Sequence, residues 1–147
     1  MPRVEASTVV RAPVAAVYDV AKRVEEFPQF MPDLERVTVL ARTGGLPTLT
    51  EWVGVVEGRR IRWIEEDAWD DARHLCRFRQ REGDFERYEG TWAFEPDGEG
   101  TRTTIVVEFE FGIPLIGGLL SALLRVKMKD NLERMLAALR SRMETRR

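Results

Sequence analysis

The chain has 147 residues, of which 44% are hydrophobic and 33% charged, a balance typical of a folded domain rather than a disordered chain. Lys and Arg number 23 against 25 Asp and Glu, so the net charge is −2 and no global basic field favours nucleic acid. One cysteine, Cys76, and one histidine, His74, exclude an internal disulfide, a Cys-rich zinc site and a multi-histidine metal centre. We therefore expect a single domain over residues 1–147 with no metal or other cofactor.

The apolar stretches of the sequence indicate the cellular compartment of the protein. The opening MPRVEASTVV lacks the long apolar core of a secretory signal. The run 113–124 is too short to span a membrane and is broken by Pro114 and two glycines. We expect a cytoplasmic protein. The scarcity of Asn and Gln is typical of a thermophile, and a GC-rich genome explains the accompanying Arg bias equally well.

The first third of the chain predicts one strand and two short helices. Residues 3–11 are rich in β-branched side chains and predict a strand. Pro13 favours a first helical turn, and apolar residues then recur at helical spacing up to Ala21. In the following EEFPQFMPDL, Pro28 and Pro32 flank apolar side chains, which indicates a short helix or turn with an extended exit.

From residue 34 the chain reads as six strands joined by short turns rich in Gly, Asp and Pro, which predicts an antiparallel meander. The strands cover residues 34–42, 49–57, 59–69, 73–81, 85–95 and 101–111. Alternation along them predicts one charged sheet face and one apolar, aromatic face. The apolar face contains Ile61, Trp63, His74, Cys76, Phe78, Gln80, Tyr88, Gly90, Trp92, Phe94, Thr103, Ile105, Val107, Phe109 and Phe111.

A long helix over roughly 118–145, on the order of 40 Å in length, is predicted to end the chain. Its apolar stripe contains Leu124, Met128, Leu132, Met135 and Leu139. Leu119, Leu123 and Val126 lie opposite that stripe, so the first turns are apolar all round. One of their faces must meet something besides the sheet: a ligand entrance, a dimer partner or a membrane surface.

One long helix packs best in the concave apolar face of such a sheet, and strong curvature leaves a pocket between them. The predicted pocket wall consists of Trp52, Trp63, His74, Cys76, Phe78, Tyr88, Trp92, Phe109, Met128, Leu132 and Met135. The predicted entrance consists of Phe27, Phe30 and Met31 on one side and Ile113, Leu115, Ile116 and Leu119 on the other. A filled core is the alternative interpretation, although buried Trp and Tyr need hydrogen-bond partners, which favours a cavity.

This pattern resembles the helix-grip fold of the START and birch-pollen-allergen (SRPBCC) superfamily, and within it the polyketide cyclase/dehydrase and coenzyme Q-binding group. The resemblance covers essentially residues 1–147 and is carried by VYDVAKRVEEFPQFMPDLERVTVL and GDFERYEGTWAFEPDGEGTRTTIVVEFEF. It implies an α+β fold with a curved sheet of six to seven antiparallel strands around the C-terminal helix. The coenzyme Q-binding members continue the loop after Pro32 with Trp and Cys, whereas Asp33 and Leu34 stand here, which argues against quinone in particular.

Few side chains on the predicted pocket wall are reactive. His74 is a candidate general base or ligand hydrogen-bonding group, or simply a hydrogen-bonded histidine at a strand end. Cys76 lies two residues on, about 6–7 Å away along the strand, and no helix N-terminus is evident that would activate its thiol. Gln80 and Tyr88 are candidates for orienting a polar head group. On the outer face, basic residues from Arg73 to Arg87 alternate with Glu, typical of a solvated, ion-paired surface rather than an RNA or membrane site.

Three functions remain open. The leading hypothesis is non-enzymatic binding or transport of a hydrophobic small molecule such as a lipid, isoprenoid quinone or polyketide-like ring system, with possible transient contact with a membrane surface. The second is an aromatase/cyclase-type enzyme, for which His74 and Tyr88 are the candidate acid or base. The third is a module that interacts with ribosomes or proteins, as proposed for some relatives. The chain is expected to be a monomer or a homodimer.

Overall fold

A computed structural model describes residues 3–42, 47–56, 58–111 and 118–145. Its helices are α1 (Val14–Lys22), a 3₁₀ helix (Val24–Gln29) and α2 (Gly118–Thr145). Its strands are β1 (Arg3–Val10), β2 (Leu34–Ala41), β3 (Thr48–Val56), β4 (Arg59–Asp70), β5 (Leu75–Gly83), β6 (Phe85–Asp97) and β7 (Gly100–Phe111). Among the described helices, none combines the length and the apolar character needed to cross a membrane.

The strands form one seven-stranded antiparallel sheet in the order β1-β7-β6-β5-β4-β3-β2. Strands β2 to β7 follow one another as hairpins, because the turns between them are short. Strand β1 joins at the far edge and pairs with β7, with Val4 opposite Val107 and Val10 opposite Thr101. This arrangement confirms the predicted α+β fold, with short helices after the first strand and a long helix at the end.

The core lies between the concave sheet face and α2. Helix α2 buries Met128, Leu132, Leu136 and Leu139, which recur at three- and four-residue spacing and therefore share one stripe. The sheet supplies the opposite wall at alternate positions, among them Trp92 on β6. Each large apolar side chain buried in this way contributes about 1.5–3 kcal/mol.

The main departure from the predicted elements is the start of β5. The turn after β4 runs through His74, whose φ is 52°, and β5 begins at Leu75 instead of residue 73. The Asp70 carboxylate accepts the backbone N–H groups of Ala72 at 3.1 Å and Arg73 at 3.0 Å. This local capping by Asp70 extends the turn, because the aspartate side chain satisfies the backbone groups that strand pairing would otherwise use.

Candidate ligand-binding site

Two small adjoining cavities lie between the concave sheet face and α2. The Met128 cavity, about 50 Å³, is lined by Asp33, Leu34, Gly54, Val55, Ile61, Trp63, Phe85, Tyr88, Met128, Asn131, Leu132 and Met135. The Glu65 cavity, about 40 Å³, is lined by Leu34, Trp52, Trp63, Glu65, Phe78, Tyr88, Trp92, Ile105 and Met135. Both hold a few water molecules at most, so a larger ligand must displace side chains. Their shared wall is formed by Leu34, Trp63, Tyr88 and Met135.

Tyr88 stands at the centre of the aromatic wall. Its ring lies 4.6 Å from that of Phe85, 5.2 Å from that of Trp63 and 5.5 Å from that of Phe78, measured between centroids. Trp63 in turn stacks on Trp52 at 5.9 Å with the planes only 6° apart. All of these rings project from neighbouring strands of one sheet, so hydrogen bonding within the sheet fixes their positions.

The buried indoles find their hydrogen-bond partners on the same sheet face. The Trp52 Nε1–H donates to Thr50 Oγ1 at 2.8 Å, and the Thr50 hydroxyl donates to Asp67 Oδ2 at 2.5 Å. The Trp63 Nε1–H donates to Glu65 Oε1 at 2.7 Å. The partners are fully or almost fully buried: Thr50 is 0%, Glu65 4% and Asp67 3% exposed. The tryptophans therefore share a polar network with two carboxyl groups inside the core.

Glu65 and Asp67 are functional candidates that the sequence interpretation missed. They lie on β4 two and four residues after Trp63, so the alternation that places Trp63 on the concave face places them there too. The sequence carried the signal, but in this strand the alternation was followed only as far as Trp63. The pocket wall is therefore aromatic and acidic.

Burial controls the protonation of this acid pair. Burial, followed by the neighbouring charge of Asp67 and a hydrogen bond to it, raises the pKa of Glu65 well above its ordinary value. Burial also raises the pKa of Asp67, although hydrogen bonds from Glu65 and Thr50 oppose the rise. A hydrogen bond between two carboxyl groups requires a proton on one of them, and these effects place it on Glu65. Among the described ion pairs, none involves either residue.

The Tyr88 hydroxyl is the other polar group in the wall. Tyr88 is only 8% exposed, lines both cavities and makes no hydrogen bond to any residue in the described ranges. Burial first, and then the nearby charges of Glu65 and Asp67, raise the pKa of its phenol well above the ordinary value. The phenol therefore stays protonated and can donate or accept a hydrogen bond.

Most residues of the predicted wall line one or both cavities. Those that do are Trp52, Trp63, Phe78, Tyr88, Trp92, Met128, Leu132 and Met135. Phe109 and Cys76 are buried, each 1% exposed, but line neither cavity. Burial raises the pKa of the Cys76 thiol, which keeps it neutral and poorly nucleophilic.

His74 lies apart from the cavities. It packs edge-on against Tyr18, with 5.0 Å between ring centroids, and its backbone carbonyl accepts the Phe94 N–H at 3.1 Å. The Tyr18 hydroxyl donates to Asp71 at 2.6 Å, which ties α1 to the same turn. The predicted orientation of His74 toward the pocket is therefore wrong, because the residue belongs to the turn and not to β5.

The structure describes only one side of the predicted entrance, and most residues on that side are buried in the hydrophobic core. Phe27 and Met31 are each 1% exposed, and the Phe27 ring lies 5.9 Å from Trp52 and 6.3 Å from Trp92. Phe30 is partly buried, with the Arg142 guanidinium 5.0 Å from its ring centroid. Ile113, Leu115 and Ile116 lie outside the described residues, as does the side chain of Leu119.

Two further polar predictions concern Gln80 and the outer face. Gln80 donates from Nε2 to the Phe85 carbonyl at 2.8 Å, while its Oε1 is buried without a partner among the described residues. On the outer face, basic side chains pair with acids, for example Arg79 with Glu66 at 3.5 Å. Within residues 3–42, 47–56, 58–111 and 118–145, no three His, Cys, Asp or Glu side chains gather as a metal site.

Comparison with known proteins identifies relatives by sequence. Residues 10–136 match the family described as polyketide cyclase / dehydrase and lipid transport. The actinorhodin polyketide synthase bifunctional cyclase/dehydratase of Streptomyces coelicolor is 29% identical over 101 residues, which are 67% of this chain and 32% of that protein. The chain thus spans about a third of the length of this curated relative.

Solved structures share the whole fold. The protein TTHA0849 of Thermus thermophilus is 41% identical, with a TM-score of 0.92 and 99% of each chain covered. The Zhui aromatase/cyclase of Streptomyces sp. R1128 has a TM-score of 0.88 at 22% identity, covering 98% of this chain and 94% of that one. A START superfamily protein of Mycobacterium smegmatis has a TM-score of 0.87 at 21% identity, covering 99% of each chain. The last two likenesses show the helix-grip fold.

Proposed function

Because the chain belongs to the polyketide cyclase/dehydrase and lipid transport family, within the START superfamily, we propose that it binds a hydrophobic small molecule between its sheet and α2. The observation that carries this proposal is the shared wall of the two cavities. There Trp63 and Tyr88 face Met135 of α2 across a space that is not filled. An apolar wall with few polar groups is the usual character of a small-molecule site.

The cavities can grow at the side chains that separate them. Met135 lines both cavities and is only partly buried, and Met128 lines one of them. Methionine has three rotatable bonds and no branch, so it moves aside at low cost and repacks against a ligand. The aromatic rings opposite are held by strands. We therefore expect the ligand to displace α2 side chains rather than the sheet wall.

A titration with a neutral fluorescent probe such as Nile red tests the proposal. We expect saturable uptake at one site per chain. The larger indole of Met135→Trp should fill the space between the shared wall and α2, and it should weaken uptake about tenfold or more. Val126→Trp is the matched control, because Val126 lies on the same helix with 62% of its surface exposed, and it should leave uptake unchanged. Absence of saturable uptake by the unsubstituted chain would overturn the proposal.

A cyclase or dehydratase activity is the second candidate, and the buried acid pair is the observation that favours it. Glu65 lines a cavity and carries a proton, so it can protonate a leaving hydroxyl or a carbonyl oxygen of a bound polyketone. Tyr88 is the neighbouring hydrogen-bond donor. This pair replaces the predicted pair of His74 and Tyr88. Turnover of a polyketone that persists after combined Glu65→Gln and Tyr88→Phe substitution would refute the assignment.

A further inference from the structure

The described residues lining the two cavities include acidic side chains and no basic ones. Glu65 lines one cavity and Asp33 the other, while Asn131 is neutral. The Arg134 guanidinium donates to Asp33 at 2.9 Å, but Arg134 lines neither cavity. An anion entering this space would therefore meet a carboxyl group with no described cation in the wall to balance it.

Among the described side chains, the hydrogen-bond donors to the acid pair are neutral groups. Glu65 accepts the Trp63 indole N–H, Asp67 accepts the Thr50 hydroxyl, and the two carboxyl groups share a proton. The Thr50 hydroxyl lies 2.5 Å from Asp67 Oδ2, a distance typical of a hydrogen bond to an ionised carboxylate, which places the negative charge of the pair on the buried Asp67. A second negative charge a few ångströms away would be repelled strongly, because little water screens it there.

Tyr88 supplies the complementary attraction. Tyr88 is 8% exposed and lines both cavities, and its hydroxyl has no hydrogen-bond partner among the described residues. A ligand oxygen in either cavity can therefore form a hydrogen bond with this hydroxyl without displacing a described protein partner. Hydroxyl and carbonyl oxygens both fit, because a phenol donates and accepts.

We propose, on the basis of the proposed function, that Tyr88 and the Glu65–Asp67 pair determine ligand specificity. They select a neutral ring compound that carries a hydroxyl or carbonyl oxygen, and they reject compounds that carry a carboxylate or phosphate group. Tyr88 binds the ligand oxygen, while the negative charge of Asp67, which lies behind the protonated Glu65, excludes anions. The same pocket would then distinguish an oxygenated ring from a fatty acid of similar hydrophobicity.

The first test uses the unsubstituted protein and two matched probes, 2-naphthol and 2-naphthoate, by isothermal titration calorimetry at pH 7. We expect 2-naphthoate to bind at least about tenfold more weakly than 2-naphthol. Equal affinities would overturn the specificity proposal and leave the proposed function standing. Failure of 2-naphthol and Nile red alike to bind would overturn both.

The second test assigns the two effects to their residues. Tyr88→Phe should weaken 2-naphthol binding about three- to tenfold and change 2-methylnaphthalene binding less than about twofold. The double variant Glu65→Gln/Asp67→Asn should strengthen 2-naphthoate binding about fivefold or more. Glu86→Gln, the same chemical change at an exposed position of β6, is the control and should alter neither affinity. Continued exclusion of 2-naphthoate by a folded double variant, or equal weakening of both neutral probes by Tyr88→Phe, would overturn the proposal.

Discussion

At the scale of single residues, the notable feature is a pair of carboxyl groups buried among tryptophans. Removing an ionised carboxylate from water costs several kcal/mol unless a cation compensates it. Glu65 and Asp67 lower that cost by sharing a proton and by accepting hydrogen bonds from Trp63 and Thr50. The folded protein therefore binds protons at this pair more tightly than the unfolded chain does.

This difference predicts a pH-dependent stability. The ordinary pKa values are 4.5 for Glu65 and 3.8 for Asp67, and both are raised on folding. The stability that the pair contributes is therefore fully present below those ordinary values, and it is lost as the pH rises through the folded values. The free energy of unfolding should fall from pH 5 toward pH 8, by as much as about 1.4 kcal/mol per pH unit wherever the two states differ by one proton.

Urea unfolding followed by tryptophan fluorescence at pH 5, 6, 7 and 8 measures this slope. In Glu65→Gln/Asp67→Asn the amides cannot ionise, so the variant should lose less stability over the range and gain relative to the unsubstituted protein as the pH rises. Glu86→Gln should follow the unsubstituted protein, because Glu86 is exposed. Parallel curves for the double variant and the unsubstituted protein would contradict the prediction.

At the scale of elements, close approach between β6 and β7 requires glycine at position 90. A Cβ atom there would lie 1.9 Å from the Val106 carbonyl oxygen and 2.8 Å from Phe78 Cζ. The Val106 contact is with backbone, so relief requires the strands to separate. We expect Gly90→Ala to lower the free energy of unfolding by about 3 kcal/mol.

The matched control for this prediction is Gly98→Ala in the β6–β7 turn. A Cβ atom at Gly98 would meet nothing within 4 Å, but its φ of 60° is unfavourable for alanine. That strain alone should cost about 1 kcal/mol. Both losses are measured by urea unfolding, and equal losses would show that the strand contact at Gly90 relaxes easily.

Alternation and turn composition are enough to predict the strands, because a half-buried antiparallel strand must alternate. Two errors have physical causes that the polarity of single residues does not reveal. Side-chain capping by Asp70 lengthens a turn and removes His74 from β5. Glu65 and Asp67 look like surface residues, and only their network with Trp63 and Thr50 explains why they are buried. Secondary structure is thus more predictable here than the chemistry of the site.

At the scale of the whole molecule, the C-terminal half of α2 is attached to the rest of the protein at several points. Arg134 pairs with Asp33 before β2, and the Arg142 guanidinium lies over the Phe30 ring. Glu144 accepts the backbone N–H of Arg11 at 3.1 Å. The two cavities lie between this helix and the sheet, so their walls exist together only when both are docked. A ligand held between them therefore binds the folded protein and not the unfolded chain.

Ligand binding should accordingly stabilise the whole molecule. Nile red at a free concentration of 100 times its Kd should raise the free energy of unfolding by about 2.7 kcal/mol, which is roughly 5–10 °C in Tm for a chain of this size. Differential scanning calorimetry over a series of probe concentrations measures the rise, which should grow with the logarithm of concentration above Kd. Met135→Trp, whose binding should be about tenfold weaker or more, should show at most about half of this rise at the same probe concentration, whereas Val126→Trp should show all of it. An equal rise in both variants would place the probe outside the space between the sheet and α2.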